Sequence, residues 1–112
     1  MSRERFACPC CGENEIDPRV AQMVSDIEED VGERLKVSSG YRCEKHNRDV
    51  GGSDTSSHLK GLAVDLEIGR SRLRYRAIGA ALKRGIHRIG LGKNLLHLDI
   101  DRQKDPRVIW LY

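Results

Sequence analysis

The sequence predicts an α+β fold, with a small, mainly antiparallel sheet and flanking helices. Three observations predict it. Two segments repeat apolar residues at helical spacing, several short segments alternate apolar with polar residues, and a hairpin followed by one more strand closes the chain. At 112 residues, 38% of them hydrophobic, the chain has material for one modest core. Residues 1–112 are therefore read as a single domain, of which 1–16 form a cysteine-containing N-terminal segment.

The first helix lies in "EIDPRVAQMVSDIEEDVGER". Asp17 suits its N-cap and Pro18 its first turn, since proline lacks the N–H that a helix start leaves unpaired. Val20, Met23, Val24, Ile27 and Val31 form the stripe expected to be buried, and Gly32 is placed to end the helix. "RLKVSSG" follows as a short strand. The Gly-, Ser-, Asn- and Asp-rich stretch from Tyr41 to Ser57 lacks periodicity and reads as a loop, long enough to be functional. In "GLAVDLEIG", Leu62, Val64, Leu66 and Ile68 face one way and Ala63, Asp65 and Glu67 the other.

Ser71 is expected to cap a second helix, "RLRYRAIGAALKR", with Leu73, Ala77, Ala81 and Leu82 inward and Gly85 as its stop. "IHRIGL", the turn "GKN" and "LLHLDID" form the hairpin, and "VIWL" a last edge strand.

The bulk numbers exclude some functions. Net charge is +3, and the chain has one Phe, one Trp and three Tyr. So few aromatic faces disfavour a stacking platform for single-stranded nucleic acid. Acid is concentrated in "SDIEEDVGE" and base in "GRSRLRYR" and "KRG". Arg70, Arg72, Arg74 and Arg76 spread around a helix instead of forming one stripe, so the basic helix reads as a solvated face and no nucleic-acid partner is expected. No apolar run approaches the ~20 residues needed to cross a bilayer, and no membrane partner is expected. "MSRERFACPC" has no hydrophobic signal core, so the chain is expected to be made in the cytoplasm.

The chemistry concentrates in two strands and the loop before one of them. In "LLHLDID", His97, Asp99 and Asp101 point to the face opposite Leu96, Leu98 and Ile100. If this strand neighbours "GLAVDLEIG" with polar faces aligned, Asp65 and His97 converge and His58 arrives from the loop. Two histidines and one carboxylate leave a fourth tetrahedral position open, the ligand count of catalytic rather than structural zinc. Zinc so held acidifies a water and polarises a carbonyl, which implies hydrolysis of an amide or ester.

"SGYRCEKHNRDVGG", "SSHLKGLAVDL" and "RIGLGKNLLHLDID…W" resemble, in order and spacing, the zinc D-Ala-D-Ala carboxypeptidase family of peptidoglycan peptidases. That family includes phage endolysins and is similar in fold to the Hedgehog signalling domain. The resemblance runs from about Leu35 to Trp110. It implies a Hedgehog/DD-peptidase-like fold and one catalytic Zn2+ held by His58, Asp65 and His97. It also implies hydrolysis of a stem or cross-link peptide of peptidoglycan at a D-Ala-containing bond. The chain itself is expected to act as a monomer. Reaching the wall without a signal segment implies release or delivery, as for a phage or prophage protein.

By the same resemblance, Arg42 binds substrate and stabilises the tetrahedral intermediate, for which a permanently charged guanidinium is suited. The plainer alternative is a surface arginine after a turn. Ser56 matches a serine near the substrate, or caps its loop. Many relatives place a carboxylate general base three residues before the last histidine. Here Asn94 stands there, and an amide accepts no proton at neutral pH. Asp99 is then either the substitute base or a carboxylate that orients a histidine. Glu67 and His87 are weaker candidates, His87 being expected as a half-buried histidine. Loss of the base would leave a non-catalytic, zinc-containing, wall-binding module.

Cys8-Pro9-Cys10-Cys11-Gly12 has the form of a zinc knuckle, and Cys43 with His46 has the spacing to complete it. Three readings stay open: a structural zinc at Cys8, Cys11, Cys43 and His46, a disulfide from Cys43 to an N-terminal cysteine, or free thiols.

Overall fold

The structure, a computed structural model, describes residues 4–112; residues 1–3 of the N-terminal segment lie outside the described residues. A 3-10 turn, Glu4–Phe6, precedes helix α1, Pro18–Val31. Asp17 caps α1 by accepting the Arg19 N–H through its side chain, and Gly32 ends it in a left-handed conformation. Strand β1, Lys36–Ser39, leads to a short helix α2, Glu44–Asp49, then to a second 3-10 turn, Ser57–Lys60. Strand β2 (Ala63–Glu67), helix α3 (Ser71–Lys83), β3 (Arg88–Leu91), β4 (Leu95–Asp99) and β5 (Val108–Leu111) complete the chain.

The strands form one five-stranded sheet in the order β1-β2-β4-β3-β5. β2 and β4 are central and antiparallel, and β3–β4 is the expected hairpin. β5 is an edge strand, but it runs parallel to β3, so the sheet is mixed and mostly antiparallel. The core gathers Val20, Val24 and Ile27 of α1, Val64 and Leu66 of β2, Leu96 and Leu98 of β4, and Ala77 and Ala81 of α3. Strand alternation then commits the odd-numbered residues of β2 and β4 to the other face of the sheet. Among the described residues, no helix is long and apolar enough to cross a membrane.

Four local expectations need correction. The stretch 41–57 is not all loop, because α2 occupies Glu44–Asp49. Its single buried residue is Asn47, so it has no apolar stripe to read. Ser71 does not cap α3: Arg70 holds the cap position without a side-chain bond, and Ser71 is the first helical residue. Leu82 is exposed and Leu73 only partly buried, while Ala80 joins Ala77 and Ala81 against the core. Ala77, Ala80 and Ala81 form the inward face of α3, and Leu82, about 100° around the helix from Ala81, points off it. His87 is exposed, not half-buried.

Candidate metal centre

Two neighbouring strands set the site. β2 and β4 pair in a register that places Asp65 directly opposite His97. Because Val64, Leu66, Leu96 and Leu98 enter the core, Asp65, His97 and Asp99 share the face away from α1 and α3. The chain between β1 and β2 covers that face and buries all three. The 3-10 turn Ser57–Lys60 delivers His58 from this cover. Ser56 caps the turn, its hydroxyl accepting the His58 N–H at 3.2 Å.

The three side chains meet. Asp65 Oδ1 lies 2.8 Å from His97 Nδ1 and 3.3 Å from His58 Nε2. One donor atom from each lies within 4.8 Å of the other two. The second nitrogen of each ring is also engaged. His58 Nδ1 donates to the Gly40 carbonyl at 2.7 Å, which turns Nε2 toward Asp65. His97 Nε2 lies 2.8 Å from Asp99 Oδ2. A carbonyl behind one histidine and a carboxylate behind the other are the outer partners that fix ring orientation in metal centres.

The electrostatics favour a cation. Burial opposes charge on the Asp65 carboxyl, but bonds from His58 and His97 outweigh it and hold the group far below the usual carboxylate range. Burial likewise opposes a charged His97, and Asp65 and Asp99 outweigh it and raise its pKa. Two carboxylates that attract a proton to this ring also attract a metal ion in its place. Two imidazole nitrogens and one carboxylate, buried and oriented from behind, fit zinc with one position left for water or substrate.

A cleft of about 380 Å³ opens onto this group. Arg42 lines it and is not an ordinary surface arginine, with its side chain only 15% exposed. Its guanidinium reaches Ser39 Oγ at 3.0 Å, Asp65 Oδ2 at 3.3 Å and Asn47 Oδ1 at 3.4 Å. Ser56 lines the same cleft. Asp99 sits at its floor, with Arg88 Nε donating to Oδ1 at 2.8 Å and the Asp101 N–H at 3.1 Å. Asn94 lies elsewhere, exposed in the β3–β4 turn, where its carbonyl accepts the Ile68 N–H. Glu67 is exposed and paired with Lys36, and His87 lines a different cleft. That cleft is larger, about 730 Å³, and touches Asp99 but neither histidine of the buried group.

Four residues of the site were given no role by the sequence reading. Trp110 and Tyr112 wall the cleft from the edge strand, their ring centroids 5.3 and 6.3 Å from that of His97. Arg88 bonds Asp99 and stacks its guanidinium over Trp110 at 5.0 Å. Asn47 is buried, donating to the Ser53 carbonyl while it receives Arg42. The alternation of "VIWLY" placed Trp110 and Tyr112 on one strand face, but the parallel partner that brings that face to His97 is not encoded locally.

Among curated proteins, none matches the chain. Residues 2–99 match the family model described as Peptidase M15. That match takes in β1 to β4 and every residue of the His58, Asp65 and His97 group, and it covers well over half of the sequence. The chain belongs to the Peptidase M15 family.

Proposed function

We propose that this protein is a zinc-dependent peptidase that cleaves stem or cross-link peptides of peptidoglycan at a D-Ala-containing bond. The observation that carries the reading is the buried convergence of His58, Asp65 and His97 beneath a cleft, in a chain of the Peptidase M15 family. Zinc held by these donors supplies a Lewis acid for the scissile carbonyl and lowers the pKa of water to about 7.

The chain's own groups do the positioning. Arg42, pre-set by Ser39, Asn47 and Asp65, presents a fixed positive charge to the peptide carboxylate or to the oxyanion that develops during attack. His58 is aimed by Gly40 and His97 by Asp99. Both oxygens of Asp99 are occupied, one by His97 and the other by Arg88 and the Asp101 N–H. Asp99 is therefore assigned to orienting His97 and not to proton transfer. Trp110 and Tyr112 give the cleft an aromatic wall against which a peptide packs. Delivery to the wall from a phage or prophage is part of the same proposal.

One observation favours a second reading. The cleft is lined by two carboxylates, Asp65 and Asp99, and both are engaged. A domain that keeps its metal but lacks a base would bind wall peptides without cutting them. Incubation of the zinc-loaded protein with a stem peptide ending in D-Ala-D-Ala separates the two. Cleavage that stops on chelation and returns with zinc is the expected result. Tight zinc binding with no cleavage would replace the enzyme by the binding module.

A further inference from the structure

Four sulfurs meet at a second place, built from residues that the proposed reaction does not use. The Sγ atoms of Cys8 and Cys10 lie 3.5 Å apart, those of Cys8 and Cys43 3.6 Å, and those of Cys10 and Cys43 3.3 Å. Cys11 completes the group, with all four sulfurs within 4.8 Å of one another. None of the three separations approaches the ~2.05 Å of a disulfide. They fall near the roughly 3.8 Å edge of a sulfur tetrahedron around zinc with Zn–S bonds of about 2.3 Å.

The backbone is shaped for such a group. Cys8 to Glu13 form a tight reversal in which the Gly12 N–H donates to the Cys8 carbonyl and the Cys8 N–H to the Glu13 carbonyl, both at 2.8 Å. Gly12 takes φ +79°, a left-handed conformation open to glycine at little cost. The fourth sulfur comes from far along the chain. Cys43 precedes α2 and accepts the His46 N–H at 3.4 Å. His46 contributes that N–H, and its ring is outside the group. The fourth member beside Cys8, Cys11 and Cys43 is thus Cys10, and not His46, which one of the three sequence readings places there.

We propose that Cys8, Cys10, Cys11 and Cys43 hold one zinc ion as a closed four-thiolate structural site, in addition to the His58, Asp65 and His97 centre. Three sulfurs 3.3–3.6 Å apart with a fourth within 4.8 Å suit one shared cation better than a single covalent pair. The ion fastens the N-terminal segment to the backbone that shapes the cleft. Tyr41 N–H already donates to the Phe6 carbonyl at 2.8 Å, Gly40 aims His58, and the Arg42 N–H donates to the His58 carbonyl at 3.2 Å. Cys43 follows Arg42 directly, so a metal there restrains the segment Gly40–Cys43 from its far end.

The test is metal and thiol content of the full chain, purified with zinc under reducing conditions. The wild type is expected to hold two zinc ions and four titratable thiols. The double variant His58→Ala/His97→Ala is expected to retain one zinc, released by a mercurial reagent as the thiols react. Cys10→Ser/Cys11→Ser is expected to fall from two zinc ions to one. Cobalt in the histidine variant should show thiolate-to-metal charge-transfer absorption. A histidine variant without metal, or fewer than four thiols in the denatured wild type, would overturn the site. One zinc in the wild type that survives the histidine substitutions would instead uphold it and remove the metal from the proposed catalytic centre.

Discussion

Arg42 is held by three acceptors on three segments before any substrate arrives: Ser39 at the end of β1, Asn47 in α2 and Asp65 in β2. A lysine could not satisfy this arrangement, because its single ammonium lacks the planar fork. If the guanidinium stabilises charge that develops during peptide cleavage, Arg42→Ala should leave zinc content unchanged. It should also lower kcat/KM by about 10²–10³-fold, roughly 2.7–4 kcal/mol of transition-state stabilisation. Elemental analysis beside peptide-cleavage kinetics checks this, and unaltered turnover would remove Arg42 from the chemistry. Asp99 was open to two roles from sequence, since a carboxylate two residues from a histidine on one strand face can either take a proton or hold a ring. Its bonds to His97, Arg88 and the Asp101 N–H favour holding. Asp99→Asn should weaken zinc binding by about 10–100-fold, the usual effect of losing a partner behind a metal-binding histidine. Competition with a chelator measures that affinity. Intact affinity with abolished cleavage would make Asp99 the base after all.

At the scale of elements, the charge blocks of the sequence answer one another across a helix pair. Arg84 of the α3 end reaches Asp30 of α1 at 2.8 Å, and Arg76 reaches the Asp30 carbonyl. The basic helix thus spends part of its charge on its neighbour, a pattern that single-helix spacing does not reveal. Exposed pairs of this kind contribute little stability and mainly fix how the helices sit. The edge strand matters more for the site. β3 brings Gly90 between His97 on β4 and Trp110 on β5. A Cβ at Gly90 would stand 2.7 Å from Trp110 Nε1 and 2.8 Å from a Tyr112 ring carbon, so the aromatic wall closes on His97 because residue 90 has no side chain. Gly90→Ala should push Trp110 outward, raise KM for a peptide and leave zinc content unchanged. Trp110 is the one tryptophan in the chain, so its fluorescence reports this wall alone. A red-shifted emission maximum is expected, and an unshifted one with normal KM would mean that the wall adapts freely.

For the whole molecule, what the sequence disclosed and what it withheld divide along contact range. Period-two alternation was enough to set Asp65 opposite the apolar face of β2, and His97 and Asp99 opposite that of β4, because side-chain direction on a strand is a local property. The pairing that joins the two polar faces entered only as a condition. Helix α1 was legible end to end, since Asp17, Pro18, Gly32 and its apolar stripe act within a few turns of each other. The parallel docking of β5 and the six-residue α2 were not, one being set by a distant partner and the other lacking an apolar face. The N-terminal segment is the clearest case, because its cysteines drew attention while Phe6, the single phenylalanine, passed as one apolar residue in a polar stretch. Phe6 is fully buried in the main core. Its backbone lies so close to Gly40 that a Cβ there would stand 2.6 Å from the Phe6 carbonyl oxygen. Beside it, Arg5 forms a two-bond pair with Glu28 of α1 at 2.7 and 2.8 Å, with both side chains mostly buried. From Glu4 onward the segment is therefore packed into the core, against the Gly40 backbone that aims His58. Phe6→Ala removes a fully buried ring from the main core and should lower the unfolding free energy by about 3–5 kcal/mol. Denaturant unfolding of the zinc-loaded protein measures this. Losses below about 1 kcal/mol would mean that the rest of the domain holds its core, and the backbone that aims His58, without the Phe6 ring.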